Sequence, residues 1–165
     1  GSMEVWLLMR SLRTLHVRVE RQASTAAFLA AWLHAATEVG SAEAGSGGGA
    51  ARHPLAGLVR AVHHPSLPSH PSHAVAAKQM VGGFGGCLAL ELATEAAAKA
   101  LPDALVLFRS ATSLGGVESL VEWRRKYDAE VSPLLLRVSV GLEDREHLKS
   151  DLQEAILAVS RRAEP

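Results

Sequence analysis

The chain has 165 residues, enough for one domain with a buried core and too few for two ordinary ones. Its 17 Lys and Arg balance 17 Asp and Glu, which removes any electrostatic case for nucleic acid or an acidic membrane surface as partner. No apolar run approaches the length of a membrane span, and the single Cys87 excludes an intrachain disulfide and fits a reducing, intracellular setting, with the cytoplasm as the expected compartment.

Gly1-Ser2-Met3 reads as an expression remnant, so the native segment is expected from Glu4. From Glu4 to Glu38 the pattern predicts one long amphipathic helix. Leu8, Leu12, Leu15, Val19, Ala26, Leu29 and Leu33 recur at helical spacing, and neither proline nor glycine interrupts them. Arg10, Arg13, Arg18 and Arg21 form a solvated or interface face, while the apolar start, Val5 to Met9, needs cover. Residues 40–57 are dominated by Gly, Ala and Ser and read as a disordered insertion. A phosphate-cradling loop would need a Lys followed by Ser or Thr at a helix start, which this stretch lacks.

Leu58 to Val62 is a predicted strand, followed by a proline-rich loop carrying His63, His64, His70 and His73. Imidazoles invite a metal reading, but the prolines fix a loop and no Cys or helical His pair completes a tetrahedral set, so no metal is assigned. A helix starts at Pro71 or Ser72 and runs to Met80; a glycine-marked turn from Val81 then enters a strand ending at Leu92. Cys87 within it is read as a small core residue without chemistry. Thr94 caps a helix over Glu95 to Leu101 that Pro102 ends, and Leu105 to Phe108 is the next strand. Gly116 to Trp123 suits a short helix, whose positive dipole end would lie beside Ser113. Asp144 caps a closing helix with an apolar face of Leu148, Leu152, Ala155, Ile156 and Val159. The succession predicts an α+β fold: a small, mostly antiparallel sheet with helices on one side, preceded by a long N-terminal helix.

Two runs carry the chemistry. The first is Thr112-Ser113-Leu114-Gly115-Gly116-Val117-Glu118-Ser119-Leu120, a serine and two glycines where backbone N–H groups could face an anion. The second is Leu136-Arg137-Val138-Ser139-Val140-Gly141-Leu142-Glu143-Asp144, a strand in which Arg137 and Ser139 point away from their apolar neighbours. An arginine in mid-strand is costly to bury unless an anion meets it, and its planar fork suits a carboxylate. From the pattern alone, a surface strand with a solvated arginine is the favoured reading.

These two runs, in this order, resemble the carboxy-terminal domain of the Cys/Met-metabolism (trans-sulfuration) enzymes, which use pyridoxal phosphate (PLP), and most closely the cystathionine γ-synthase and γ-lyase group. The resemblance implies the small domain of a fold-type I PLP enzyme. It implies that Arg137 holds the α-carboxylate of an amino-acid substrate and that Ser113 sits beside the cofactor imine and that carboxylate. Thr112 occupies a variable position expected to tune side-chain preference, and Leu114 is the remaining substrate-binding candidate. Leu7-Leu8-Met9-Arg10-Ser11-Leu12-Arg13-Thr14-Leu15 is similar to the family's helix linking its two domains. The His63–His73 loop and the Gly83–Leu92 strand are similar to structural segments of the family, with no metal. Where better-known members carry a longer segment with a Met-Thr-His-Ala-Ser-like run, this chain has only Arg124 to Pro133, which leaves the particular substrate open.

The resemblance places the cofactor domain before Glu4. The cofactor lysine belongs in a Ser-x-Thr-Lys setting, and Lys78, Lys99, Lys126 and Lys149 do not match it. No catalytic or cofactor-binding residue is therefore assigned here, and the chain alone is expected to be inactive. The complete protein is expected to be a homotetrameric PLP-dependent lyase or transferase of sulfur amino acids, performing β/γ-elimination or replacement. The alternative is a free-standing binding or assembly module that kept the fold and lost catalysis.

Overall fold

Leu88, Leu90 and Leu92 alternate with less buried neighbours, the two-residue period of a strand covered on one face. The structure, a computed structural model, describes residues 1–38 and 52–163. Their elements are α1 (Ser2–Arg13), α2 (Leu15–Glu38), β1 (Val59–His63), α3 (His73–Gln79), β2 (Cys87–Leu92), α4 (Glu95–Ala104), β3 (Arg109–Ser110), β4 (Leu120–Trp123), a 3-10 turn (Arg124–Lys126), β5 (Leu135–Ser139) and α5 (Arg145–Ala163). The sheet order is β1-β2-β5-β4-β3, antiparallel throughout except for the β3–β4 pair. This is a mixed α/β fold around a mostly antiparallel sheet.

Leu136 and Val138 lie opposite Leu90 and Leu88 in the β2–β5 register, and Val121 of β4 lies opposite Val138. These side chains join one core with Ala26, Leu29, Ala30 and Leu33 of α2, Ala97, Ala98 and Leu101 of α4, and Leu148, Leu152 and Ile156 of α5. The small residues on α2 let its backbone lie close to its neighbours. With α2, α4 and α5 on that face, strand alternation sends Arg137, Ser139 and Glu122 to the other.

Several expectations are corrected. The long N-terminal helix is broken at Thr14, whose backbone N–H and hydroxyl both turn to the Ser11 carbonyl while Arg18 donates to that carbonyl and to the Thr14 hydroxyl. The apolar stripe is buried only from Ala26 onward: α1 buries nothing, and Leu15 and Val19 at the start of α2 stay exposed. Of the insertion expected over 40–57, residues 39–51 lie outside the described residues. Its end is packed, because Leu55 is fully buried in the core and His53 lies against Trp32. Cys87 is only half-buried at the start of β2. Helix α4 continues through Pro102 to Ala104, since a proline in the last turn forfeits a single helical bond. Thr94 caps it as expected, accepting from the Ala97 N–H at 3.2 Å.

Two further differences bear on the site. Residues 105–108 form no strand, because the N–H groups of Val106, Leu107 and Phe108 converge on the Asp151 carboxylate at 2.8–3.3 Å. Residues 116–123 form no helix. They run as a loop into β4, whose Val121 meets Val138.

Asp144 caps α5, its Oδ1 accepting from the N–H groups of His147 and Glu146, and these bonds hold its carboxyl below the usual range. A lowered folded-state pKa stabilises the fold while the group is ionised. We expect the stability lost in Asp144→Ala to be constant near neutral pH and to shrink on acidification below about pH 4. Urea unfolding of both chains across pH checks this, and a difference that grows on acidification would contradict it.

Candidate substrate-binding site

The β4–β5 register sets Glu122 directly opposite Arg137. Glu122 is 2% exposed, and its Oε1 accepts from Arg124 Nη1 at 2.6 Å and forms an ion pair with Arg137 Nη1 at 3.2 Å. The anion that a mid-strand arginine requires is thus supplied from within the fold. The shared carboxylate also raises the Arg124 guanidinium above its ordinary value, through their hydrogen bond first and charge attraction second. Two guanidiniums share one carboxylate, so the cluster keeps one uncompensated positive charge. Arg137, with 24% of its side chain exposed, stays open to solvent.

The other end of the fork meets the first motif: Arg137 Nη2 donates to the carbonyl oxygens of Thr112 and Ser113, the latter at 2.9 Å. Arg137, Thr112 and Ser113 are therefore brought together. Leu114, 56% exposed, shares the loop but has no contact with the arginine among those the structure defines.

The two motifs are stitched along their length. Gly115 N–H donates to Ser139 Oγ at 3.0 Å, Leu142 N–H to the Val117 carbonyl at 2.8 Å, and Gln22 Nε2 to the Gly116 carbonyl at 2.6 Å. Ser119 gives its N–H and its hydroxyl to the two oxygens of Glu143, each at 2.8 Å, and accepts from Gly141 N–H at 2.8 Å. Gly115 has φ +74°, which needs glycine. Gly141 is glycine for want of room: a Cβ there would meet the Val117 carbonyl and would lie 2.5 Å from both Glu118 C and Glu143 Oε2.

Nothing in the local sequence marks a role for Glu122, Arg124, Ser119, Ser139 or Glu143 in this site. Their signal was register: only the pairing of β4 with β5 shows that Glu122 faces Arg137. A cleft of about 270 Å³ at the sheet edge is lined by Glu122, Ser110, Trp123, Lys99, Lys126 and Tyr127, and its lining stops short of Arg137.

The histidine loop is structural. His64 is fully buried, its ring nitrogens 2.7 Å from Ser66 Oγ and 3.4 Å from the Gly85 carbonyl, and burial pushes its pKa down. His73 donates to the Pro65 carbonyl at 2.7 Å and stacks on Phe84. Among the described residues no group of three or more His, Cys, Asp or Glu could hold a metal, and no helix is long and apolar enough to cross a membrane.

The family profile described as Cys/Met metabolism PLP-dependent enzyme matches residues 1–157. The chain belongs to this family. It is 36% identical to the cystathionine γ-synthase of Mycobacterium tuberculosis, with 94% of this chain and 37% of that protein covered. Among solved structures it is similar to a methionine γ-lyase from Micromonospora echinospora (35% identity, TM-score 0.73, 94% of this chain and 37% of that one). It is also similar to the cystathionine γ-lyase from yeast (29% identity, TM-score 0.79, 97% and 39%). The chain thus spans less than two fifths of the length of each.

PLP chemistry needs a lysine for the imine. Lys99 lies over the Trp123 ring, Lys126 over Tyr127, and Lys149 over Phe28 and Trp32, while Lys78 is exposed on α3. Among the described residues none of the four is a partner of Thr112, Ser113 or Arg137, so these residues do not fit the imine-forming end of the cofactor.

Gly141→Ala forces backbone apart at the junction of the two motifs. We expect a loss of about 1–3 kcal/mol in urea unfolding, with amide shifts concentrated at residues 117–119. Wild-type stability with unmoved amides would refute the steric account.

Proposed function

We propose that this segment is the substrate-carboxylate-binding part of a PLP-dependent sulfur-amino-acid enzyme of the cystathionine γ-synthase or γ-lyase type, which performs β/γ-elimination or replacement. The observation that carries this reading is the Arg137 cluster. Its guanidinium is held on two sides, belongs to a cluster with one uncompensated positive charge and sits against Ser113 on the face that α2, α4 and α5 leave uncovered. In this reading Arg137 holds the α-carboxylate and Ser113 lies beside it, with Thr112 and Leu114 biasing the choice of side chain. The imine-forming lysine and the phosphate site come from the remainder of the protein, and PLP supplies carbanion stabilisation when bound there.

The uncovered apolar surface of α1 supports the same reading. Trp6 is 54% exposed and Leu8 59%, and burying such a patch removes it from water. We assign its cover to the remainder of the enzyme, in a homotetrameric assembly, which chain mass in solution would test.

Steady-state kinetics of the complete enzyme test the clamp. Removing one partner of a desolvated guanidinium–carboxylate pair costs on the order of 2–5 kcal/mol, so Arg137→Ala should lower kcat/KM for the amino-acid substrate at least about thirtyfold. Arg137→Lys should also fall well below wild type, because it keeps the charge and loses the fork. Values within about threefold of wild type would reject the clamp. In the same assay the 165-residue chain with added PLP should release no keto acid or thiol.

A further inference from the structure

Glu122 contributes nothing to the apolar core: it sits on the opposite face from Val121, and yet it is 2% exposed. A carboxylate that deep is stable only when cations meet it, and a buried ion pair gives little stability over an apolar pair of similar volume. The stability of the sheet therefore does not explain it, whereas the geometry of Arg137 does. The guanidinium has five N–H donors in one plane. Nη2 donates to the Thr112 and Ser113 carbonyls and Nη1 is drawn into an ion pair with Glu122, so the plane is constrained from two sides, and among the described residues the buried Nε has no hydrogen-bond partner.

The way Glu122 is shared matters as much. Its two arginines crowd onto one oxygen, Oε1, and among the described residues Oε2 has no hydrogen-bond partner. Arg124 takes the shorter contact at 2.6 Å and Arg137 the longer at 3.2 Å. A carboxylate gripping Arg137 through both oxygens would neutralise it and compete with any incoming anion. Here one carboxylate faces two guanidiniums, with Arg124 making the closer contact, so Arg137 is oriented without being fully neutralised.

We propose that Glu122 is the positioning residue of Arg137, and that Arg124 acts through Glu122 to keep Arg137 available to one carboxylate. This rests on the reading of Arg137 as the substrate clamp.

The test compares, in the complete PLP-loaded enzyme, an amino-acid substrate with its α-carboxamide, a neutral analogue of nearly the same shape. The quantity read is the preference for acid over amide in kcat/KM. Arg137→Ala should erase that preference; if the preference survives, the clamp reading itself fails, whatever Glu122 does. Given that loss, Glu122→Gln should lower the preference about tenfold through a higher KM for the acid, with kcat and the amide KM nearly unchanged. Glu122→Asp, which keeps the charge at shorter reach, should fall between. If Glu122→Gln leaves the preference unchanged, or raises it as a bare gain of positive charge would, the positioning role is overturned while the clamp stands. Should Glu122→Gln not fold, Arg124→Gln at the solvent-facing end carries the test. It should lower the preference about fivefold as Glu122 turns wholly to Arg137, and an unchanged value overturns the proposal.

Discussion

The pairing of β4 with β5 is the constraint from which the candidate site follows. Strand side chains alternate with a period of two, so a slip of one residue would send Arg137 into the core and Val138 out. The register observed puts Val121 against Val138 inside and Glu122 against Arg137 outside. Burial of Leu136 and Val138 under α2, α4 and α5 enforces that register, because the alternative exposes them and buries a guanidinium among leucines. Apolar packing on one face thereby sets the ionic geometry on the other.

The loop from Thr112 to Ser119 has little core of its own to hold it. Thr112, Ser113 and Leu114 are exposed, and only its end, at Ser119, is buried. Polar bonds take over the role of packing: Ser139, Glu143, Gln22 and Arg137 each hold one or two backbone groups of this stretch. Net hydrogen bonds are modest singly, but a buried backbone group left without a partner is costly, so the set favours one loop conformation over others. The same logic operates at residues 106–108, where Asp151 takes three N–H groups that a strand would otherwise have paired.

Helix α1 has the reverse character. It has helix-forming residues and a large apolar surface, but no buried side chain. Arg10 lies over the Trp6 ring at 5.0 Å, a local contact that leaves most of the indole in water. The Thr14 break separates this uncovered helix from α2, whose small residues are buried against the sheet.

Some of this protein was already decided in its sequence. The α5 apolar face and its Asp144 cap, the Thr94 cap of α4 and the alternation of β5 were legible because each rests on residues within one or two turns or on a strand period. The two motifs pointed to the family for a related reason, since they keep residue types in a fixed local order. Tertiary structure alone decided that Leu105 to Phe108 would wrap a distant carboxylate and that the stretch after Gly116 would become a strand. It also decided that the half-turn holding Leu55 would enter the core. Above all it decided that Glu122, one charge among many in the sequence, would face Arg137. A residue's own pattern states its period, but its partner is chosen by chain-distant packing, and no local rule names that partner.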